Sequence, residues 1–223
     1  MSGDPGRVHE VKVAVLAATK EMDDRGLVSG TAGNVSGRVD RERAVLTPSS
    51  LPYAEMTLDD LVVVDLDGTV LEGDRSPTSE KDLHLECFRA FPEVGGVLHC
   101  HARHASMFAV ARRQIPAAVD ESVIYLGGDI PVADYQPSGS VELAHAVVAC
   151  LAERSAALMA NHGLVCVGKS PADALHAALV VEHNAEIVWG SMSLGGPAAL
   201  PADAVANLRG VYDLVRQHTW ASP

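Results

Sequence analysis

The sequence predicts one mixed α/β domain, α+β-like in character, with a central, mostly antiparallel sheet flanked by helices. Three observations predict it. Strand-length apolar runs and helical-period runs are interspersed with hairpin signals instead of alternating strictly. No Pro/Gly/Ser-rich linker, repeat or low-complexity tract divides the 223 residues. Apolar residues make up 48% and charged residues 21%, the balance of a chain with a sizeable core of its own. The domain is expected to cover 1–223, with 1–7 and 217–223 as flexible ends.

Each element has its own signal. Val11, Val15, Leu16 and Met22 fall at helical spacing within 8–25, and Gly26 is a stop. A Gly-rich turn from Ser29 to Gly33 is expected to run on through Asn34-Val35-Ser36-Gly37. Ala44-Val45-Leu46 reads as a short strand broken by Thr47-Pro48-Ser49-Ser50. Leu61–Leu66, Asp67-Gly68 and Thr69–Leu71 read as a hairpin with a type I′ turn. Beyond Ser76-Pro77-Thr78, Ser79 fits the cap of a helix, Glu80 its first turn, and Leu83, Cys87 and Phe88 its buried stripe. Gly96–His99 is a strand, Ala105–Arg112 a helix, Ile130–Ala133 strand-like and Val141–Leu151 helical. Ala156–Ala160 and Leu164–Val167 are strand-like. Pro171 opens a long helix to Val188, Gly195-Gly196-Pro197 breaks the chain, and Ala202–Arg216 is the last helix.

Charge excludes several functions. Seventeen Lys+Arg against 29 Asp+Glu give a formal charge of −12, and no basic run occurs. No nucleic acid and no anionic membrane surface is expected as a partner. A phosphorylated substrate stays open, because backbone amides can hold one phosphate without net positive charge. The opening MSGDPGRVHE has no apolar signal core, and no apolar run has the length of a membrane span. Cys87, Cys100, Cys150 and Cys166 match no CxxC pattern. They read as reduced thiols, and the expected location is cytoplasmic.

The ten histidines carry most of the functional signal. His99 and His101 end a strand at i and i+2, so both imidazoles reach one face while Cys100 turns away. Neutral imidazoles suit Zn²⁺ at roughly 2.0–2.1 Å. Taken alone, an HxH is also what two surface or capping histidines leave in a sequence. His162, in Asn161-His162-Gly163, lies between two strands where a third ligand can be presented, or is an ordinary turn histidine. Glu80 adds a carboxylate from a helix start, and His84, four residues on, shares its helix face. His104, His145, His176 and His183 fit packing or solvent positions in helices, and His9 and His218 lie near the ends.

Three tracts, Gly30–Asn34, Thr47–Ser50 and Ser76–Ser79, add glycines and hydroxyls. None is a Walker A or GxGxxG loop. Each alone is an ordinary turn; beside a metal candidate, the three together suggest a phosphate pocket.

Five segments occur in an order that resembles one family: GTAGNVSGR at 30–38, LTPSSLPY at 46–53, SPTSEKDLH at 76–84, VLHCHARHAS at 97–106 and ANHGLVCVG at 160–168. They are similar to the class II aldolase/adducin family over roughly 8–190, and most of all to its L-fuculose-1-phosphate aldolase branch. The resemblance implies the class II aldolase/adducin fold and one Zn²⁺ per chain on His99, His101 and His162. Glu80 would be the displaceable fourth ligand and the catalytic acid/base. It implies phosphate contacts from Gly33, Asn34, Ser49, Ser50, Thr78 and Ser79. The family's aldolases usually show Thr-Gly where Ser49-Ser50 stands, which keeps the hydroxyl and changes the backbone demand at Ser50. It also implies a homotetramer with active sites at subunit interfaces and a tyrosine on the aldehyde side, for which Tyr125 and Tyr212 are the candidates.

The implied reaction is reversible cleavage of a ketose 1-phosphate to dihydroxyacetone phosphate and a short aldehyde through metal-stabilised enediolate chemistry. Two related chemistries compete. An L-ribulose-5-phosphate 4-epimerase breaks the same bond, turns the aldehyde and rejoins it. That branch shows Asp where Glu80 stands, and a His-Ala-Asp-Tyr order that 120–126 lacks. A methylthioribulose-1-phosphate dehydratase-like enzyme is the other. A non-catalytic adducin-like module lacks the metal histidines, and this chain has all three.

Overall fold

Apolar spacing along the first helix meets a sheet whose middle strand is polar, and that contrast organises the molecule. The computed structural model describes residues 5–219. In chain order the elements are α1 (Pro5–Asp24), β1 (Gly33–Arg38), β2 (Arg43–Leu46), β3 (Val62–Asp65), β4 (Val70–Glu72), α2 (Lys81–Ala90), β5 (Gly96–Cys100) and α3 (Arg103–Ala111). There follow α4 (Asp120–Leu126), β6 (Val132–Ala133), α5 (Val141–Leu151), β7 (Ala156–Met159), β8 (Leu164–Gly168), α6 (Pro171–Ser191) and α7 (Ala202–Thr219). Of the ends expected to be flexible, 5–7 open α1 and 217–219 close α7; residues 1–4 and 220–223 lie outside the described residues.

The eight strands form one sheet in the order β4-β3-β2-β1-β5-β8-β7-β6. Only β6 and β7 run parallel; every other neighbouring pair is antiparallel. Helices cover both faces. On one, Val11 and Val15 of α1, Phe108 of α3 and Val181 of α6 pack with Val35, Leu98 and Cys100. On the other, Leu83 and Phe88 of α2 and Leu143 and Val147 of α5 pack with Val97 and Val165. Alternation along β5 therefore sends Cys100 to the first core and His99 to the α2 side. The four cysteines are unpaired. Among the described residues no helix is long and apolar enough to cross a membrane.

Three local expectations are corrected, and one helix that the sequence did not signal is present. The segment expected to continue a turn through Asn34–Gly37 is β1, a central strand. Its Asn34, Ser36 and Arg38 face α2, where they bond His84 and the carbonyl oxygens of Phe88, Phe91 and Val94. The β3–β4 hairpin is present, but not with a type I′ turn: only Gly68 (φ +86°) is left-handed. The Asp65 carboxylate accepts the amides of Asp67 and Thr69 at 3.0 and 2.8 Å, which favours a longer loop. The cap of α2 is Glu80, not Ser79, and its side chain makes no capping bond because it is drawn into the site described below. Residues 120–126 form the short helix α4, which carried no periodic signal. The expected start of α6 holds: Ser170 Oγ accepts the Asp173 amide at 3.2 Å and Pro171 opens the helix.

Candidate metal centre and active site

The end of β5, the β7–β8 hairpin and the start of α2 meet at one point. His99 is buried, and its Nδ1 lies 3.0 Å from the Leu164 carbonyl oxygen. That nitrogen therefore carries the proton and donates, leaving Nε2 as a bare lone pair. His101 follows the strand and is held by its amide, which donates to Leu27 O at 3.1 Å. Its Nε2 stands 3.1 Å from His99 Nε2. His162 sits in the hairpin turn, shaped by Asn161 at φ +56°. Asn161 is tied to the end of α3: its amide donates to Ala109 O at 3.0 Å, and its Oδ1 accepts from Arg112 Nε at 2.9 Å. Gly163 must be glycine, since a Cβ there would lie 2.6 Å from Cys100 O and 2.9 Å from His101 Cδ2.

One ligand nitrogen from each of these three histidines falls within 4.8 Å of the others. Glu80 closes the group, with Oε2 3.2 Å from His99 Nε2 and Oε1 3.5 Å from His162 Nε2. Acceptor atoms thus converge from four side chains, a set that one divalent cation satisfies together. The donor set fits such an ion.

Burial pushes the His99 and His101 imidazoles below their ordinary value, so both are neutral, as a metal ligand must be. For Glu80, burial works upward. With His99 neutral, the groups that oppose it are the Asn34 amide and the Ser138 hydroxyl: Asn34 Nδ2 donates to Oε2 and Ser138 Oγ donates to Oε1, each at 3.0 Å, and both favour the ionised carboxylate and hold it below its usual range. His84, fully buried, is pushed down by burial to about 3 and is neutral.

The six phosphate candidates lie on adjoining segments. Asn34 pairs with His99 and Gly33 with Cys100 across the β1–β5 ladder. The loops 47–50 and 76–79 are tied by Ser49 N to Ser76 O and Thr78 N to Thr47 O, both 3.0 Å. Ser49, Ser50 and Ser79 are exposed, while Asn34 and Thr78 are buried. Ser50 has φ +58°, the left-handed conformation that explains why glycine suits this place. The tyrosines are not brought to the histidines. Tyr125 is exposed on α4, its ring 4.8 Å from that of His176. Tyr212 is buried at the opposite end of β7, its hydroxyl 3.0 Å from Ser155 Oγ and accepting from Arg216 at 2.9 Å.

Sequence reasoning missed Ser138 and Ser36. Ser138 sits in a Pro-Ser-Gly turn with no distinguishing signal. Ser36 lies two residues after Asn34, and a strand assignment there would have put both on one face. His104 is accounted for by Glu182, which accepts the amides of His104 and Ala105 at 2.9 and 3.0 Å and so caps α3 behind His101.

Residues 13–189 match the family described as Class II Aldolase and Adducin N-terminal domain. A 5-deoxy-D-ribulose 1-phosphate aldolase of Bacillus thuringiensis serovar kurstaki is 35% identical over 196 residues, covering 87% of this chain and 91% of that protein. An L-ribulose-5-phosphate 4-epimerase of Salmonella paratyphi C is 35% identical over 209 residues, covering 88% of this chain and 91% of that one. A solved structure of an L-fuculose 1-phosphate aldolase superposes with a TM-score of 0.87 at 30% identity, covering 92% of this chain and 96% of that one. The chain belongs to the class II aldolase and adducin family.

Proposed function

We propose that this chain is a zinc-dependent aldolase that reversibly cleaves a ketose 1-phosphate, of the L-fuculose 1-phosphate or 5-deoxyribulose 1-phosphate kind, into dihydroxyacetone phosphate and a short aldehyde. The observation that carries the reading is Glu80: its carboxylate reaches two of the three histidines and is held by Asn34 and Ser138. His99, His101 and His162 would hold the zinc ion, which would supply Lewis acidity toward the ketose carbonyl. The Glu80 carboxylate, kept ionised, is the base of the synthetic direction and takes a proton from C3 of dihydroxyacetone phosphate. In the cleavage direction the aldehyde-side group takes the C4 hydroxyl proton as the C3–C4 bond breaks, and the same Glu80 oxygen then returns a proton to C3. Gly33, Asn34, Ser49, Ser50, Thr78 and Ser79 hold the phosphate through neutral groups, for which loop amides and hydroxyls suffice. On the aldehyde side, Tyr125 is favoured over Tyr212, because its ring is exposed and the Tyr212 hydroxyl already serves Ser155 and Arg216. An exposed Tyr125 remote from its own histidines suits a homotetramer with sites between subunits.

A second reading, a pentulose-5-phosphate 4-epimerase, is supported by the 35% identity to such an enzyme. Glu80, in place of the aspartate of that branch, favours the aldolase. The test supplies L-fuculose 1-phosphate, 5-deoxyribulose 1-phosphate and L-ribulose 5-phosphate separately and follows dihydroxyacetone phosphate with a coupled dehydrogenase. Triose phosphate plus aldehyde from a 1-phosphate is the expected result. Xylulose 5-phosphate from ribulose 5-phosphate, with no triose phosphate from either 1-phosphate, refutes the aldolase reading.

A further inference from the structure

His84 is fully buried and lies four residues along α2 from Glu80, one turn behind the carboxylate. Its Nε2 is 2.5 Å from Asn34 Oδ1, and its Nδ1 is 2.6 Å from Ser36 Oγ. The protons of this series have one consistent arrangement. An ionised carboxylate only accepts, so Asn34 turns its amide N–H to Glu80, at 3.0 Å. That leaves Oδ1 for His84, and Nε2 must therefore carry the imidazole proton. Nδ1 is then a bare acceptor, and the Ser36 hydroxyl donates to it. Every donor in the series points toward Glu80.

We infer that His84 is a positioning residue for the reaction: as its Nε2–H tautomer, locked by Ser36, it fixes the orientation of the Asn34 amide and, through it, the Glu80 carboxylate. Without that N–H the amide is free to turn over and set its oxygen against the carboxylate, two acceptors in contact. The inference rests on the reading of Glu80 as the proton-transferring group. It also gives Asn34 a duty toward the carboxylate besides any toward phosphate.

Two near-isosteric variants separate the ring nitrogens. A Gln amide nitrogen reaches the place of Nε2, and an Asn amide that of Nδ1. His84→Gln thus keeps the donor to Asn34 and loses the Ser36 contact, and His84→Asn does the reverse. With metal content and folded fraction measured for each holoenzyme, His84→Gln is expected to keep kcat within about threefold. His84→Asn is expected to lose roughly 10- to 100-fold in kcat with KM for the sugar phosphate within about twofold. Nitrogen NMR of the wild-type holoenzyme is expected to show His84 as the neutral Nε2–H tautomer. Ser36→Ala, a smaller change, is expected to add an Nδ1–H population to that spectrum and lower kcat several-fold. An Nδ1–H tautomer in the wild type, equal kcat in the two His84 variants, a loss confined to KM, or an unaltered spectrum and kcat in Ser36→Ala overturns the inference. Glu80→Gln is the control, expected to keep its metal and lose roughly 10²–10⁴ in turnover. Normal turnover there refutes the functional reading itself, whereas an inactive Glu80→Gln beside indistinguishable His84 variants refutes the role of His84 alone.

Discussion

Adding one methyl group at Gly163 is the most direct test of how the metal centre is built. The new Cβ would lie 2.6 Å from Cys100 O, 2.9 Å from His101 Cδ2 and 3.1 Å from His99 Cε1. An ordinary contact begins near 3.4 Å, so the β7–β8 turn and the end of β5 must part by about 0.8 Å. The nearest obstacle is backbone, on a strand paired on both sides, and it gives way poorly. Overpacking of this kind costs about 1–3 kcal/mol. For a chain of this size that is a fall in Tm of about 2–12 °C. A parting of that size also exceeds the roughly 0.5 Å within which a site keeps its productive geometry. Gly163→Ala is therefore expected to weaken metal binding at least tenfold, measured by competition with a chromophoric chelator, and to lower kcat by about 10²-fold. If the Ala variant melts with the wild type and holds its metal as tightly, the hairpin does not set the ligand spacing and the account of Gly163 is wrong.

Exhaustive chelation should abolish turnover, and zinc should restore it at about one ion per chain; activity that survives in protein shown metal-free by elemental analysis contradicts the metal assignment. Ser50→Gly should raise stability by up to about 1 kcal/mol in chemical denaturation, because it removes a side chain from a left-handed residue at the loss of one exposed 3.4 Å contact to the Ser49 hydroxyl. A destabilised Gly variant would mean that the contact between the Ser49 and Ser50 hydroxyls outweighs the backbone strain. Tyr212→Phe should cost about 1–3 kcal/mol by stranding the buried Ser155 hydroxyl and leave kcat unchanged, whereas Tyr125→Phe should leave stability unchanged and lower kcat about 10²-fold. The reverse pattern would move the aldehyde-side role to Tyr212.

The three histidines that come together were legible because their geometry is local: an i, i+2 pair at a strand end and a histidine beside a glycine in a tight turn. α1, α5 and α6 were legible from apolar spacing and caps. β1 was not, because hydrophobic alternation finds a strand only when one face is apolar, and Asn34, Ser36 and Arg38 fill the inner face here. The two-residue turn expected at Asp67-Gly68 lost to the Asp65 carboxylate, which binds two loop amides. Glu80 was placed with the histidines, where its carboxylate lies, but as a first-turn residue of α2, since ordinary capping logic favours Ser79 and the carboxylate turns toward the histidines. Ser138 reaches Glu80 from 58 residues away, a separation that no local pattern spans.

The polar side of β1 has a consequence for how this chain can change. A one-residue slip would turn Asn34, Ser36 and Arg38 away from α2 and strand three polar groups in an apolar core. Each stranded group costs roughly 1–3 kcal/mol, so these residues police the pairing of the sheet as well as aiming a carboxylate. A descendant released from catalysis can shed His101 and His162, which the fold spends only on the site. It cannot shed Asn34, Ser36 and Arg38 on the same terms, because relaxed selection on chemistry leaves their duty to the sheet in force. The active site and the architecture share residues at β1 and part company at the β7–β8 turn, so decay of such a lineage would begin at the turn.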